Sequence, residues 1–328
     1  MWKSISGALW LLACAGASLA QGLEGPGNVY PARPIRLIVP YAPGGSTDKV
    51  ARLSAEYLGL KLKQAVVVEN RPGANNLVGA NTLLASAADG YTLMLASNGL
   101  LTMAPAVFRK LPFDPARDFS LVGMVNQNPM VIATSASGRY RDMRSVLAEA
   151  KARPDTVTYA VSGGFVPALA AASLQAMSGT KMVEVRYKGS ALSLTDLIAD
   201  RVALSFMGVS LAAPLAEDGK LRALAVTSKE RSSKMPDVPT LRESGVAGFD
   251  MVVWNALIGP PHLPQNVIAT LNRALGEVYR DAEFRKRLQA NGEEPLHGTP
   301  AELQVRMDEE IALWKRVVKD AGIPKIDD

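Results

Sequence analysis

Short apolar runs alternate with helical segments along most of the chain. The run 35–39 (IRLIV) is rich in β-branched residues and is closed by Pro40, which predicts a buried strand. From Val50 to Leu60 apolar residues recur at helical spacing, which predicts an amphipathic helix over 47–62. The alternation continues with predicted strands at 65–69, 91–96, 121–125, 130–133, 157–161, 183–187, 203–207 and 221–226, and predicted helices at 76–87, 142–152, 166–178, 190–199, 211–217 and in the tail 264–322. Strands interleaved with helices indicate an α/β protein with a parallel sheet and helices on both faces.

A glycine turn joins the first predicted strand to the first predicted helix. Gly44 and Gly45 can both reach the positive φ angles that other residues avoid, and we expect both to supply the curl of this turn. The start of a helix leaves backbone N–H groups without partners and carries a partial positive charge, so the turn can bind an anion. The alternative is a plain connection in which Ser46, Thr47 or Asp48 caps the helix. The stretch alone leaves both interpretations open.

Composition and charge narrow the function classes. The 328 residues suffice for two domains, and 48% hydrophobic with 20% charged residues is typical of a globular protein. The formal net charge of +5 comes from 36 Lys and Arg against 31 Asp and Glu, which are scattered along the chain. We therefore expect no nucleic-acid partner, because a nucleic-acid groove needs clustered basic residues with aromatic residues between them.

The sequence offers few groups for catalysis or metal binding. It has two histidines, His262 and His297, both near prolines, and Cys14 is its one cysteine. It also lacks the serine elbow, the phosphate loop, the dinucleotide-binding motif and the calcium loop. We therefore expect no metal, no cofactor and no catalytic residue. A secreted hydrolase that pairs a histidine with Ser97 or Ser162 stays open as the alternative.

The N-terminus has the form of a secretory signal peptide. Lys3 precedes an apolar stretch over 5–17, and a small-x-small cleavage pattern ends at Ala20, which predicts a signal peptide over 1–20. The stretch is too short to span a bilayer, and no later apolar run approaches the roughly 18 residues that a span needs. The alternative is lipoprotein processing at Cys14, which would leave an acylated, membrane-anchored N-terminus.

Eight segments in order resemble the tripartite tricarboxylate transporter solute-receptor family, also called Bug proteins. They are YPARPIRLIVPYAPGGSTDKVARL, VVENRPGANNLVGA, DGYTLMLAS, LPFDPARDF, RYKGSALSLTDLI, GKLRALAVTS, MPDVPTLRESG and the last helix with its tryptophan. The resemblance implies an α/β, two-domain periplasmic-binding-protein fold, in which crossing strands join two mostly parallel sheets. The expected division is domain 1 over 21–127 plus 253–328 and domain 2 over 128–252. The expected location is the periplasm, and the expected state is a monomer.

The resemblance also implies a ligand, a partner and a site. The ligand is a small organic carboxylate held in the interdomain cleft, and the partner is a set of membrane permease subunits. In this family the turn, here Pro43-Gly44-Gly45, offers its N–H groups to the ligand carboxylate, so Asp48 is expected to stay a cap or first-turn residue. The implied ligand-binding residues are Tyr41, Pro43, Gly44, Gly45, Ser46, Thr47, Ser97, Asn98, Ser162, Gly163, Gly164, Phe165 and Met207.

The second-domain loop departs from the family pattern. Relatives usually carry a hydroxyl and a histidine where this chain has Phe165 and Ala168, and an aspartate and an asparagine where it has Met207 and Gly208. We therefore expect the distal half of the pocket to be apolar and to favour monocarboxylates over citrate. The alternative is that Phe165 packs into the core and leaves the pocket small.

Overall fold

The computed structural model describes residues 30–162, 165–187 and 190–327. The strands are β1 (Ile35–Val39), β2 (Val66–Asn70), β3 (Thr92–Ser97), β4 (Ser120–Ser135), β5 (Thr158–Ser162), β6 (Val183–Tyr187), β7 (Leu204–Gly208), β8 (Leu221–Val226), β9 (Val252–Gly259) and β10 (Glu294–Pro295). The helices are α1 (Ser46–Leu62), α2 (Leu77–Leu84), α3 (Ala104–Val107), α4 (Met143–Ala152), α5 (Val166–Ser178), α6 (Ser190–Ile198), α7 (Val209–Glu217), α8 (Gln265–Arg280), α9 (Ala282–Ala290) and α10 (Pro300–Asp320). The predicted signal peptide with Cys14, and the predicted site residues Gly163 and Gly164, lie outside the described residues.

The strands join in one mixed sheet of order β2-β1-β3-β9-β4-β7-β5-β6, with β8 and β10 also paired to β4. At one end β1 pairs in parallel with β2 and β3, and at the other β5 pairs in parallel with β6 and β7. Between them β4 and β9 run antiparallel to their neighbours. The α/β class is confirmed, with two parallel halves joined by antiparallel strands.

The long strand β4 corrects the predicted elements. The sequence predicted separate strands at 121–125 and 130–133, because Asn126-Gln127-Asn128-Pro129 reads as a break, whereas β4 runs unbroken from Ser120 to Ser135. Its pairing with β9 shifts register twice, near 122 and 125, and is then regular through the polar stretch 126–129. β9 itself was missing from the predicted elements, although its run Val252–Gly259 is largely apolar.

β4 and β9 cross between the two halves of the molecule. The first part of β4 pairs with β9, and the part from Met130 onward pairs with β7 and β8. The expected boundary after residue 127 falls inside β4, and the one after 252 falls at the start of β9. The division into domains 1 and 2 stays a prediction, and we use it below to name the two halves.

Apolar helix faces cover the sheet. In domain 1, Val50 and Tyr57 of α1 pack in one cluster with Leu271 and Leu275 of α8. Leu303, Met307 and Trp314 form the buried face of α10. Within the described residues, no helix combines the length and apolarity needed to cross a bilayer.

Candidate functional site

The glycine turn lies where β1 ends and α1 begins. Gly44 has φ of +85°, in the left-handed region, and a Cβ placed there would have nothing within 4 Å, so its conformation alone favours glycine. Gly45 is the N-cap of α1 with φ of −70° and ψ of 171°, which any residue adopts. The expectation that both glycines need positive φ is therefore wrong for Gly45.

Asp48 takes one of the N–H groups that the sequence assigned to a ligand. Its carboxylate accepts hydrogen bonds from Gly44 N–H at 2.8 Å, Arg52 Nε at 3.0 Å and Asn70 Nδ2 at 2.8 Å. Burial raises the pKa of Asp48, but these hydrogen bonds together outweigh burial and hold the pKa below its usual range. Asp48 is thus a first-turn residue, as expected, and it locks the turn.

The next N–H groups stay available at the start of α1. No side chain caps this helix, and the N–H groups of Gly45, Ser46 and Thr47 have no hydrogen-bond partner among the described residues. They lie at the positive end of a 17-residue helix. The helix start can therefore bind an anion through Gly45, Ser46 and Thr47, whereas Gly44 shapes the turn.

Two more predicted site residues meet beside this turn. Tyr41 follows β1 and Ser97 ends β3, and because these strands are neighbours their hydroxyl groups share a hydrogen bond. Asn76 donates to the Tyr41 hydroxyl at 3.3 Å. Burial raises the pKa of Tyr41, so its hydroxyl is neutral and can still donate a proton to an acceptor.

Asn98, a predicted ligand-binding residue, is buried against the crossing strand β9. It is 1% exposed, its Nδ2 donates to the Val252 carbonyl at 2.9 Å, and its Oδ1 accepts from Trp254 N–H at 3.4 Å. The side chain therefore ties β3 to the crossing strand β9. Its contact with a ligand stays a prediction.

The structure adds a row of polar side chains that the sequence did not reveal. Asn126 accepts from Asn255 at 3.0 Å and donates to Glu293 at 2.6 Å, and Asn128 donates to the other oxygen of Glu293 at 2.9 Å. The row meets α1, because Ser46 donates to Glu293 and the Thr47 hydroxyl lies 3.5 Å from Asn255 Oδ1. The available signal was the polar stretch inside β4.

Glu293 is a buried carboxyl group in the middle of this row. It is 1% exposed, and every hydrogen bond that it accepts comes from a neutral side chain. Burial raises its pKa to about 7, against the smaller lowering effect of the bonds from Ser46, Asn126 and Asn128. The site therefore contains a carboxyl group that can be neutral or charged near pH 7.

The second-domain wall is largely apolar. Phe165 packs edge-on against Phe108 with ring centroids 6.2 Å apart, which places it in a contact between the two halves. Met207 is 8% exposed and belongs to the core of domain 2. Ser162 ends β5, where its hydroxyl accepts from Ser193 at 3.3 Å. Phe165 thus packs into the contact between the halves and Met207 into the core of domain 2, and their place on a ligand pocket stays a prediction.

The two halves touch on both sides of the turn. A Cβ placed on Gly292 would come within 2.8 Å of Val209 Cγ1, and one placed on Gly99 within 3.4 Å of Val166 Cγ2. Ser46, Ser210 and Glu293 border a cavity of about 10 Å³, the space of a single water. The two halves are therefore in contact beside Gly99 and beside Gly292.

A larger cavity lies on the opposite face of the crossing strands. Alternate residues of a strand face opposite sides, so Gln127 and Trp254 face away from Asn126 and Asn255. That side borders a cavity of about 660 Å³ lined by Gln127, Pro129, Val252 and charged residues such as Arg231 and Arg306. Arg231 and Arg306 are paired with Glu243 and Glu310, so their charges are already balanced. We place the candidate site at the turn because its N–H groups are unpaired.

The histidines lie apart from the serines proposed for hydrolysis. Ser97 bonds to Tyr41 and Ser162 to Ser193, and no hydrogen bond joins either serine to a histidine within the described ranges. His262 is exposed, and the ring of His297 lies tilted against that of Tyr279, with ring centroids 5.7 Å apart. No cluster suited to a metal ion occurs in the described part of the chain.

Comparisons with known proteins show the family to which the chain belongs. The model of the tripartite tricarboxylate transporter family receptor matches residues 50–323. The chain is 34% identical over 317 residues to BugT of Bordetella pertussis, covering 95% of this chain and 97% of BugT. Among solved structures, R. palustris Rpa4515 with adipate is 32% identical and has a TM-score of 0.80, over 90% of this chain and 100% of that one. MatC (Rpa3494) from Rhodopseudomonas palustris with bound malate is 29% identical and has a TM-score of 0.75, over 88% and 100%. The chain belongs to the tripartite tricarboxylate transporter receptor family.

Proposed function

We propose that the protein is an extracytoplasmic solute-binding protein that captures a small carboxylate at the start of α1. The observation that carries this proposal is the set of unpaired N–H groups of Gly45, Ser46 and Thr47 at an uncapped helix start. Relatives solved with adipate and with malate support a carboxylate ligand. The hydrolase alternative has no supporting observation, and we do not propose it.

The helix start can supply the required affinity without a cationic side chain. A charge-assisted hydrogen bond contributes about 1.5–3 kcal/mol, so a few of them reach the roughly −8 kcal/mol of micromolar binding after the cost of association. The Tyr41 and Ser97 hydroxyl groups lie at the adjacent strand ends, where open sheets bind ligands. We assign the carboxylate to these groups together.

The second-domain wall suggests which carboxylates fit. Phe165 and Met207 offer no polar partner to the far end of a ligand, and an unpaired buried polar group costs roughly 1–3 kcal/mol. We expect a carboxylate with an aliphatic or aromatic body to bind at least tenfold more tightly than citrate, and Phe165→Ser to reduce this difference.

The proposal extends to location and partner. We propose that residues 1–20 are removed on export to the periplasm, in preference to lipoprotein processing at Cys14. We also propose that the protein acts as a monomer and delivers its ligand to permease subunits of a tripartite tricarboxylate-type transporter. Mass spectrometry of secreted protein tests the first point, since it should find Gln21 as the new N-terminus.

A thermal-shift screen tests the proposed ligand class. Refolded, ligand-free mature protein is screened against mono-, di- and tricarboxylates and against neutral amides of the same size. A carboxylate at about 100 times its Kd should add about 2.7 kcal/mol of stability and raise the midpoint by several degrees. Carboxylates that act no differently from their amides would refute the proposal.

A further inference from the structure

The orphaned oxygen of Asn128 is the starting observation. Asn128 is 7% exposed and its Nδ2 donates to Glu293 at 2.9 Å, but its Oδ1 is buried with no hydrogen-bond partner in the described part of the chain. Buried polar atoms are nearly always paired, so an orphaned acceptor calls for a donor from outside the chain. When Glu293 is ionised, Nδ2 faces the carboxylate, because an amide flip would place Oδ1 opposite a negatively charged oxygen.

Asn128 lies between the two halves of the cleft. On one side, Glu293 joins it to Ser46, the first residue of α1. On the other side, a Cβ placed on Gly208, the N-cap of α7, would lie 3.7 Å from Asn128 Nδ2. One carboxylate group therefore separates the orphaned oxygen from the helix start that we assign to the ligand.

We propose that Asn128 and Glu293 form a subsite for a hydrogen-bond donor of the ligand, which makes the ligand an amino acid or a hydroxy acid rather than an unsubstituted carboxylate. The proposal rests on the proposed function, because the subsite is defined relative to the carboxylate at α1. Asn128 and Glu293 act as specificity-determining residues, and the donor is an ammonium or hydroxyl group close to the carboxyl group.

The charges around Glu293 support this ligand class. Lys49 borders the same cavity as Glu293, but no Lys or Arg of the described residues forms an ion pair with it, and the nearby charge of Glu294 has the same sign. A ligand carboxylate at Ser46 would bring another negative charge close to it. An ammonium group on the ligand would offset that charge, and a hydroxyl group would donate to the orphaned oxygen without adding charge.

Calorimetry with two matched series of acids tests the subsite. One series is phenylalanine, 3-phenyllactate and 3-phenylpropionate, and the other is aspartate, malate and succinate, each titrated into the ligand-free mature protein. In any series that binds, we expect the amino or hydroxy acid to bind at least tenfold more tightly than the unsubstituted acid. Asn128→Leu should reduce this ratio to threefold or less.

Two further variants make the test specific. Glu293→Gln should weaken the preference for the amino acid at least tenfold and keep that for the hydroxy acid, because only the charge is removed. Gln127→Leu, on the opposite face of the same strand, should leave every ratio unchanged. If circular dichroism shows that Asn128→Leu does not fold, the preference for the amino acid in Glu293→Gln still tests the subsite.

The possible outcomes distinguish failure of the subsite from failure of the proposed carboxylate binding. Equal affinities within a binding series, or a preference that survives both Asn128→Leu and Glu293→Gln, would overturn the subsite and leave carboxylate binding intact. If the orphaned oxygen of Asn128 only binds water, the affinities within a binding series should be equal. If no acid of either series binds, the proposed carboxylate function fails, and the subsite with it.

Discussion

Two helices of this protein begin in opposite ways. At the start of α10, the Thr299 hydroxyl accepts from Glu302 N–H and the Glu302 carboxylate accepts from Thr299 N–H, which is a complete capping box. At the start of α1 the N-cap is Gly45, and no side chain caps the helix. α10 therefore pairs N–H groups of its own first turn, whereas those of Gly45, Ser46 and Thr47 at α1 have no partner among the described residues, and we propose that a ligand carboxylate pairs them.

A glutamate near each helix start shows the same contrast in its pKa. Glu302 accepts the N–H of Thr299 at the exposed start of α10, and this bond lowers its pKa. Glu293 lies beside the start of α1 but accepts only side-chain hydrogen bonds, and burial raises its pKa to about 7. The hydrogen bonds to Glu302 thus favour its anion, whereas at Glu293, beside the proposed ligand site, burial outweighs the hydrogen bonds that favour the anion.

A capping side chain added at the start of α1 would make this helix begin like α10, and we expect it to lower carboxylate affinity more than any other change described below. Gly45 has backbone angles that any residue adopts, and a Cβ there would make an ordinary 3.6 Å contact with the Ala42 carbonyl. In Gly45→Asp the new carboxylate would take the N–H groups of the first turn and repel the ligand. We expect carboxylate affinity to fall at least 100-fold by calorimetry, with stability changed by less than about 1 kcal/mol.

The reciprocal control removes the cap of α10. Thr299→Ala should cost about 1 kcal/mol of stability in urea unfolding and leave carboxylate affinity unchanged. A Gly45→Asp variant that keeps wild-type affinity would show that the first turn of α1 does not contact the ligand.

The second effect concerns Glu293 and pH. Its pKa of about 7 in the folded protein lies above the usual value of 4.5 for a glutamate, so the folded state binds the extra proton and stability falls as pH rises from about 4.5 to 7. Glu293→Gln removes this loss, so its stability relative to wild type should be roughly 2 kcal/mol more favourable at pH 8 than at pH 5.

Urea unfolding at both pH values measures the Glu293 effect. The neutral groups that face the carboxyl group are Ser46 of α1, Asn126 and Asn128 of β4 and Ser210 of α7. The charged groups near it are Lys49, which borders the same cavity, and Glu294, and neither forms an ion pair with it. A difference that does not change with pH would mean that Glu293 is charged in the fold at pH 5 as well.

The smallest effect comes from the turn that shapes the helix start. Gly44→Ala should strain the turn, because φ of +85° disfavours a side chain, and should lower affinity about tenfold. Gly219→Ala is the matched control. Gly219 also has a positive φ, +67°, with open space around it, but it follows α7 and lies outside the glycine turn. Equal affinity losses in both variants would assign the effect to stability.

The sequence predicted most of the architecture and part of the site. Strand β1, the glycine turn and helix α1 follow from local periodicity and glycine content, which single-chain patterns carry. The continuity of β4 does not, because Asn126 and Pro129 read as a break, and this stretch is held in a strand by pairing with β9 and, at Asn126, also with β10. The Gly44 bond to Asp48 depends on the turn's three-dimensional path, so sequence could not assign it.

The polar row was hidden for a similar reason. Asn126 and Asn255 face each other across two strands that lie 129 residues apart in the chain, and Glu293 reaches them from a third segment. No local motif marks such a cluster. Sequence-based reasoning found the residues that share one turn and missed those that meet only through the fold.

The central claim is that the N–H groups at the start of α1 hold the ligand carboxylate, and amide NMR tests it most directly. The ligand-free mature protein, labelled with ¹⁵N, is titrated with the tightest-binding acid of the screen. We expect the amide signals of Gly45, Ser46 and Thr47 to move downfield and saturate with the calorimetric Kd, and that of Gly44, bonded to Asp48, to move least. Unchanged signals of the three amides in a protein that binds the acid, with shifts around Arg231 and Arg306 instead, would contradict the account.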